Sequence, residues 1–251
     1  MSLATSVPAA DRSARALDPR AVRGARLALR SQLVVWVAFW LTLAVIAVGI
    51  VVVTVRVGEV EHSAWDYLSA GCRWFSFAML LFVTAGGIGP YVAHGLTRRS
   101  FVTLVALDVA VTAAVFSACW TLGHAVENAV FAARGWPTSV QEHLYADGSQ
   151  LGLVTLEALL AVLVYGTSGA LVGAAFYRGG GWWGTLTLPL TLAPVAVTES
   201  LLTGRWIGDL AQRGLDLPLP ARGLTILLVV ALGMVVLHLV LRRAAIRRPA
   251  S

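Results

Sequence analysis

Residues 33 to 55 read LVVWVAFWLTLAVIAVGIVVVTV, a run of 23 residues without a charged side chain. At about 1.5 Å of rise per helical residue, this run is about 35 Å long, enough to cross the roughly 30 Å hydrocarbon core of a bilayer. Lipid offers no partner for free backbone N–H and C=O groups, and the sequence has no alternating pattern typical of a barrel. The run is therefore predicted to be a transmembrane helix.

The rest of the chain has the same character. Of its 251 residues, 58% are hydrophobic and 13% are charged, whereas soluble domains carry about 25% charged residues. This composition excludes a soluble globular protein and leaves little room for a second domain. We predict an all-α polytopic membrane protein with six transmembrane helices, at residues 33–55, 74–94, 101–121, 151–177, 182–203 and 223–241.

Both ends of the chain are short and basic. Residues 1–17 are rich in Ala, Ser and Arg and are predicted to be a disordered tail. Asp18 and Pro19 have the positions of an N-cap and a first helical residue, which predicts an amphipathic interfacial helix over 18–32. Within it Arg20, Arg23, Arg26 and Arg30 form one stripe, suited either to anionic lipid or simply to fixing topology. The spans form one transmembrane domain over 33–241, followed by a basic tail over 242–251.

The arginines predict the orientation. All 19 basic residues are Arg, and the net charge is +6. With six spans, 13 of the arginines fall on the side that carries both tails, while the opposite loops hold six arginines and eight acids. The positive-inside rule then predicts a multi-pass plasma-membrane protein with both termini cytoplasmic. This placement of charge favours membrane lipid over nucleic acid as the partner of the arginines.

Three acids interrupt the apolar spans: Asp108, Glu157 and Glu199. An ionised acid at mid-membrane costs about 2.5–3.5 kcal/mol, so each needs a cavity, a partner or a proton. Glu157 and Glu199 lie near the outer ends of their spans, where either can reach interfacial water. Asp108 lies deeper and either bonds a neighbouring helix or lines a pathway. Together the three form a candidate intramembrane polar site, and an intramembrane enzyme that uses Asp108, Glu157 or a histidine is one hypothesis for its role.

The remaining chemistry-bearing residues form no recognisable motif. Cys72 and Cys119 lie near the outer ends of neighbouring spans, so they are either a disulfide or two free thiols. The sequence has no zinc signature, no GxxxxGK[ST] loop and no Ser/His/Asp arrangement. We therefore expect no metal, no cofactor and no enzymatic activity of the chain's own.

Two short segments resemble a known family. One is His94-Gly-Leu-Thr-Arg-Arg-Ser-Phe101, a turn between two apolar runs, and the other is the run from Gly169 to Gly180, which contains Tyr-Arg-Gly. Together with the order of the spans, they resemble the membrane (permease) subunits of bacterial type-2 ABC exporters. The segment from 204 to 222 departs from that pattern, because it is short and polar where such exporters often carry a re-entrant helical pair.

The resemblance implies a function and partners. It implies the transmembrane subunit of an ATP-driven exporter that pairs with an ATP-binding subunit and forms a homodimer, or a heterodimer with a similar permease. Its coupling segment would consist of Gly95, Thr97, Arg98, Arg99 and Ser100. The alternative is a stand-alone membrane adaptor, sensor or assembly protein without transport activity, since hydrophobic spans and surface charge suffice for it.

Overall fold

The first helix is longer than one membrane crossing. A computed structural model describes residues 19–58, 60, 62–95, 97–136, 140, 143–203 and 217–242, with the backbone alone for 19–21. Helix α1 runs from Pro19 to Val57 without a break, about 58 Å. The predicted surface helix over 18–32 and the first span are therefore one continuous helix. Its outward side is rich in exposed valines and leucines, which suits contact with lipid.

Small and aromatic side chains of α1 face the bundle. Ala25 and Ala28 are buried, whereas Arg23, Arg26 and Arg30 are exposed, so these three arginines of the predicted stripe lie on the open side of the helix. The side chain of Arg20 lies outside the described residues. Trp36 packs edge-on against Phe116, with the two ring centroids 5.4 Å apart. The start of α1 is thus fixed to the bundle through one narrow face.

Helices α2 (Ser69–Ala93) and α3 (Arg98–Arg134) form a hairpin. A 3-10 turn, Asp66–Leu68, precedes α2, and Thr97 caps α3 by accepting a hydrogen bond from the Ser100 N–H. Helix α3 ends at Gly135, whose φ of 67° is the left-handed conformation that closes many helices. Helix α3 therefore extends well past the predicted third span, 101–121, to Arg134.

Helix α4 (Leu151–Leu186) is the central element and is buried almost continuously from Leu160 to Ala174. It breaks at Gly180, where φ is 74° and ψ is −171°, between the predicted fourth and fifth spans. Beyond that turn the chain folds back, since Gly184 lies against Phe176 and the Tyr165 hydroxyl reaches Glu199. The return helix, α5 (Leu188–Leu202), follows a local interruption at Thr187, next to Pro189, which has no N–H to donate.

The last helix, α6 (Leu219–Arg242), packs against α4. Five helices, α1 to α4 and α6, are long and apolar enough to cross a membrane, while α5 is an apolar helix of 15 residues. The all-helical fold predicted from sequence is therefore confirmed for the described part of the chain, which has no strand, and its long apolar helices are compatible with a multi-pass membrane protein. The predicted tails, apart from Arg242, and most of the segment from 204 to 222 lie outside the described residues.

Two glycines set how closely α2 and α4 approach. A Cβ added at Gly169 would lie 2.1 Å from the Phe77 carbonyl oxygen, and one at Gly173 would lie 2.5 Å from the Leu81 carbonyl oxygen. Both contacts are with backbone, which cannot rotate away. Small residues at such crossings are the usual way for membrane helices to reach van der Waals contact along their backbones.

We expect Gly169→Ala and Gly173→Ala each to lower the free energy of unfolding by roughly 1–3 kcal/mol, because the added methyl forces α2 and α4 apart. Gly86→Ala is the matched control, since a Cβ at Gly86 meets nothing within 4 Å. In the control the higher helix propensity of Ala should raise stability by about 0.5–1 kcal/mol. Thermal unfolding in detergent measures all three, and equal stabilities for Gly169→Ala and Gly86→Ala would contradict the packing.

Candidate functional site

Arg73 lies one turn inside α2, on the face that meets α4 and α5. The predicted span over 74–94 leaves this residue in an outer loop, but α2 begins at Ser69, five residues before that span. Arg73 is therefore a bundle residue and only 8% exposed. A cation in such a place must be neutralised, because removing it from water without a partner costs several kcal/mol.

Two glutamates neutralise this guanidinium. Its Nη1 donates to both carboxylate oxygens of Glu199, at 2.8 and 3.0 Å, and its Nη2 donates to Glu157 Oε1 at 2.7 Å. Glu157 and Glu199 are 2% and 3% exposed. The interpretation that these two carboxylates reach interfacial water is therefore wrong: each is held inside the bundle by a planar, multidentate cation.

The second cation of the cluster comes from the outer loop. His143 uses its Nδ1 toward Glu157 Oε1, at 2.7 Å, and its Nε2 toward Asp66 Oδ1. An imidazole whose two nitrogens both face carboxylates donates from both only as the imidazolium. The loop that carries His143 is thus fastened to the starts of α2 and α4.

The charges nearly balance. Arg73 and the imidazolium of His143 face three carboxylates, those of Asp66, Glu157 and Glu199, which leaves a single excess negative charge. The other acceptor sites on the glutamates are filled: Leu144 N–H donates to Glu157 Oε2 at 2.8 Å, and the Tyr165 hydroxyl donates to Glu199 Oε1 at 3.1 Å. We call these five charged side chains the ion-pair cluster.

A neighbouring anchor positions Asp66. The Trp65 N–H donates to Glu127 Oε1 at 3.0 Å, and the Trp65 indole donates to the Trp120 carbonyl at 3.1 Å. Ser63 donates to Glu127 and accepts from the Asp66 N–H. The segment before α2 is thereby fixed to α3, and Asp66 is held where His143 meets it.

The loop residues of the site have shifted pKa values. Burial alone lowers the pKa of His143, but hydrogen bonds to Asp66 and Glu157 and the charges of these carboxylates outweigh it and raise the pKa to about 9. Burial, reinforced by the charges of Glu157 and Asp66, raises the pKa of Tyr145, which stacks on the His143 ring. His143 is therefore a cation and Tyr145 a neutral phenol across the physiological range.

The cluster is not suited to hold a metal. Both nitrogens of His143 are occupied by carboxylates, and no group of three or more His, Cys, Asp or Glu side chains within the described ranges has the arrangement of a metal site. Cys72 and Cys119 are two free thiols.

Asp108 lies apart from the cluster, between α1 and α3. It is fully buried, and its Oδ2 accepts from Gln32 Nε2 at 2.9 Å. This bond joins two helices, as one of the two interpretations of Asp108 expected, while Asp108 Oδ1 and Gln32 Oε1 have no hydrogen-bond partner among the residues that the structure describes. The three acids singled out from sequence thus occupy two places: Glu157 and Glu199 together, Asp108 elsewhere.

The turn predicted to couple to a partner lies at the opposite end of α2 from the cluster. Gly95 has a φ of 86°, Thr97 and Ser100 hydrogen-bond each other at 2.8 Å, and Arg99 is exposed. Arg98 Nη1 donates to the carbonyl of Arg242 at 2.8 Å, which joins the turn to the end of α6. Leu96 lies outside the described residues.

Comparison of this chain with protein-family models, with curated proteins and with solved structures gives no match.

Replacing Arg73 should destabilise the bundle strongly. We expect Arg73→Met to lower the free energy of unfolding by about 3–5 kcal/mol, because it leaves two buried carboxylates without their cation. Arg73→Lys should lose less, since a single ammonium restores the charge but not the fork that spans both glutamates. Arg134→Met, at an exposed arginine, is the control and should stay within about 0.5 kcal/mol of wild type. A loss for Arg73→Met no larger than the control's would contradict the geometry.

The protonation of His143 should make stability fall at alkaline pH. Since the pKa of His143 is raised from 6.5 to about 9 in the folded protein, its contribution is complete below pH 6.5 and is lost as pH rises through 9. The loss should reach about 3 kcal/mol. Thermal unfolding followed from pH 6 to 9.5 measures it, with His143→Gln as control. The variant should be less stable at pH 6 and lack this decline, whereas an unchanged pH profile in the variant would refute the assignment.

Proposed function

We propose that this chain is the transmembrane subunit of an ATP-driven ABC-type exporter that receives its power stroke at the turn formed by residues 95–100. The observation that carries the proposal is the structure of this turn: a capped, cationic connection between two long helices, tied to a third. In the proposal the ATPase activity resides in a separate ATP-binding subunit. The resemblance of the Gly-Leu-Thr-Arg-Arg-Ser-Phe segment to the permease family supports the same assignment.

The turn is held rigidly enough to transmit a force to the helices on either side of it. The hydrogen bonds of Thr97 fix the first turn of α3, and Phe101, directly after it, is fully buried against the bundle. Arg98 adds the bond to the end of α6. A partner that pushes on exposed Arg99 would therefore displace α2, α3 and α6 together instead of bending a loose loop.

The ion-pair cluster supplies a fixed point for this motion. It joins α2 to α4 and α5 at the far end of α2 from the turn. A hairpin held at one end and pushed at the other tilts, and a tilt is the motion that alternating access between two protomers requires. The proposal accordingly pairs this chain with a second copy or a similar permease and places the transport route between them.

The charge distribution supports the orientation that such a partner needs. The fold-back at Gly180 gives residues 181–202 a course antiparallel to the first part of α4, which favours six crossings. Exposed Arg23, Arg26 and Arg30 of α1 are then at the same end as Arg98 and Arg99. By the positive-inside rule this end and both termini belong in the cytoplasm of a plasma-membrane protein.

Removing the charge of the turn should uncouple the partner. We expect tagged wild-type chain, purified from its native membrane in mild detergent, to carry an ATP-binding subunit with measurable ATPase activity. Arg98→Ala/Arg99→Ala should reduce that co-purified activity about 10-fold or more. The variant loses the bond from Arg98 to the end of α6 and the exposed charge of Arg99 on which the partner would push. Arg56→Ala/Arg134→Ala, which removes two exposed arginines at the other end of the bundle, is the matched control.

Two outcomes would overturn the proposal. One is a stable, folded chain that never carries an ATP-binding protein, which would favour the stand-alone adaptor or sensor. The other is equal ATPase activity in the turn variant and in the control, which would show that the partner docks elsewhere.

A further inference from the structure

A cleft lies between the first halves of α1 and α3. Its volume is about 400 Å³, within the range of small-molecule sites. Eight of its ten lining residues are apolar, and the other two are Arg26 and Arg30. The ion-pair cluster and the 95–100 turn contribute no residue to it.

The two arginines lie together at the polar end of the cleft. They are four residues apart on α1, so their Cβ atoms are about 6 Å apart on the same face. Both are exposed, and within the described part of the chain neither has an acidic partner. Guanidinium groups in this arrangement can hold one phosphate between them through charge-assisted hydrogen bonds.

The wall below the arginines is apolar. Leu33 continues the cleft on α1, while Val111 and Val115 line it on α3. Because helices rise about 1.5 Å per residue, the distance along α3 from Leu107 to Val115 is about 12 Å. This is a slot for a hydrocarbon chain, directly beneath a site for an anion.

We propose that this cleft binds one anionic phospholipid, with its phosphate between Arg26 and Arg30 and one acyl chain along Leu33, Val111 and Val115. A basic cleft between membrane helices, next to the start of an apolar run, is the known form of a site for acidic headgroups. A zwitterionic headgroup fits less well, because its ammonium would face two arginines. A second copy of this chain also fits less well, since it would bring further arginines toward the same rim.

Native mass spectrometry of the purified full chain tests the site, with phosphatidylglycerol and phosphatidylcholine titrated into the detergent micelles. Wild type should retain one phosphatidylglycerol in clear preference to phosphatidylcholine. Arg26→Gln/Arg30→Gln should weaken phosphatidylglycerol binding about 10-fold or more. Arg56→Gln/Arg134→Gln removes equal charge from the other end of the bundle and should bind as wild type does.

A second pair of variants tests the apolar slot. Val111→Phe narrows the cleft and should weaken the binding of both lipids, whereas Val35→Phe adds the same bulk to an exposed site outside the cleft and should not. If the Arg26→Gln/Arg30→Gln variant fails to fold, the preference of wild type for phosphatidylglycerol over phosphatidylcholine still tests the proposal. Equal retention of both lipids by wild type, or a dimer that dissociates in Val111→Phe, would overturn the proposal. None of these outcomes depends on an ATP-binding partner.

Discussion

The guanidinium of Arg73 is the constraint around which the bundle is arranged. Inside an apolar helix bundle a bare cation is prohibitively unstable, so α4 and α5 must each deliver a carboxylate to the same place. Glu157 meets this need from the start of α4 and Glu199 from the end of α5. Glycines at 169 and 173 then allow α2 and α4 to approach closely enough for the ion pairs to form. Charge and packing thus enforce the same helix arrangement.

Much of the fold follows from local sequence signals. Uncharged runs predicted the helices, and the gap between the predicted fourth and fifth spans contains the reversal at Gly180. Only part of the ion-pair cluster was predictable from the sequence. Glu157 stands out as a charge in an apolar run, but Arg73 lies among small polar residues that look like a loop, and the ion pair joins positions 84 residues apart. His143 has no periodic signal at all, because only the folded loop brings it to the start of α2.

The two ends of the bundle have different physical characters, and the proposed function uses both. The end with the ion-pair cluster is closed by buried charges, each of which has partners on another element. The opposite end is open and cationic, with exposed Arg99 on a capped turn and exposed Arg26 and Arg30 beside an apolar cleft. Under the two proposals, the end with the ion-pair cluster stays rigid, while the opposite end binds the ATP-binding subunit at the turn and an anionic lipid in the cleft.

A double-mutant cycle on Arg73 and Glu199 tests the central claim most directly. Free energies of unfolding in the same detergent would be compared for wild type, Arg73→Met, Glu199→Gln and the double variant. If the cluster organises the bundle, the double variant should lose less stability than the sum of the two single losses. The difference, the coupling energy, should be about 2 kcal/mol or more. If the loss in the double variant instead equals the sum of the two single losses to within about 0.5 kcal/mol, the two residues stabilise the protein independently, which would contradict the account.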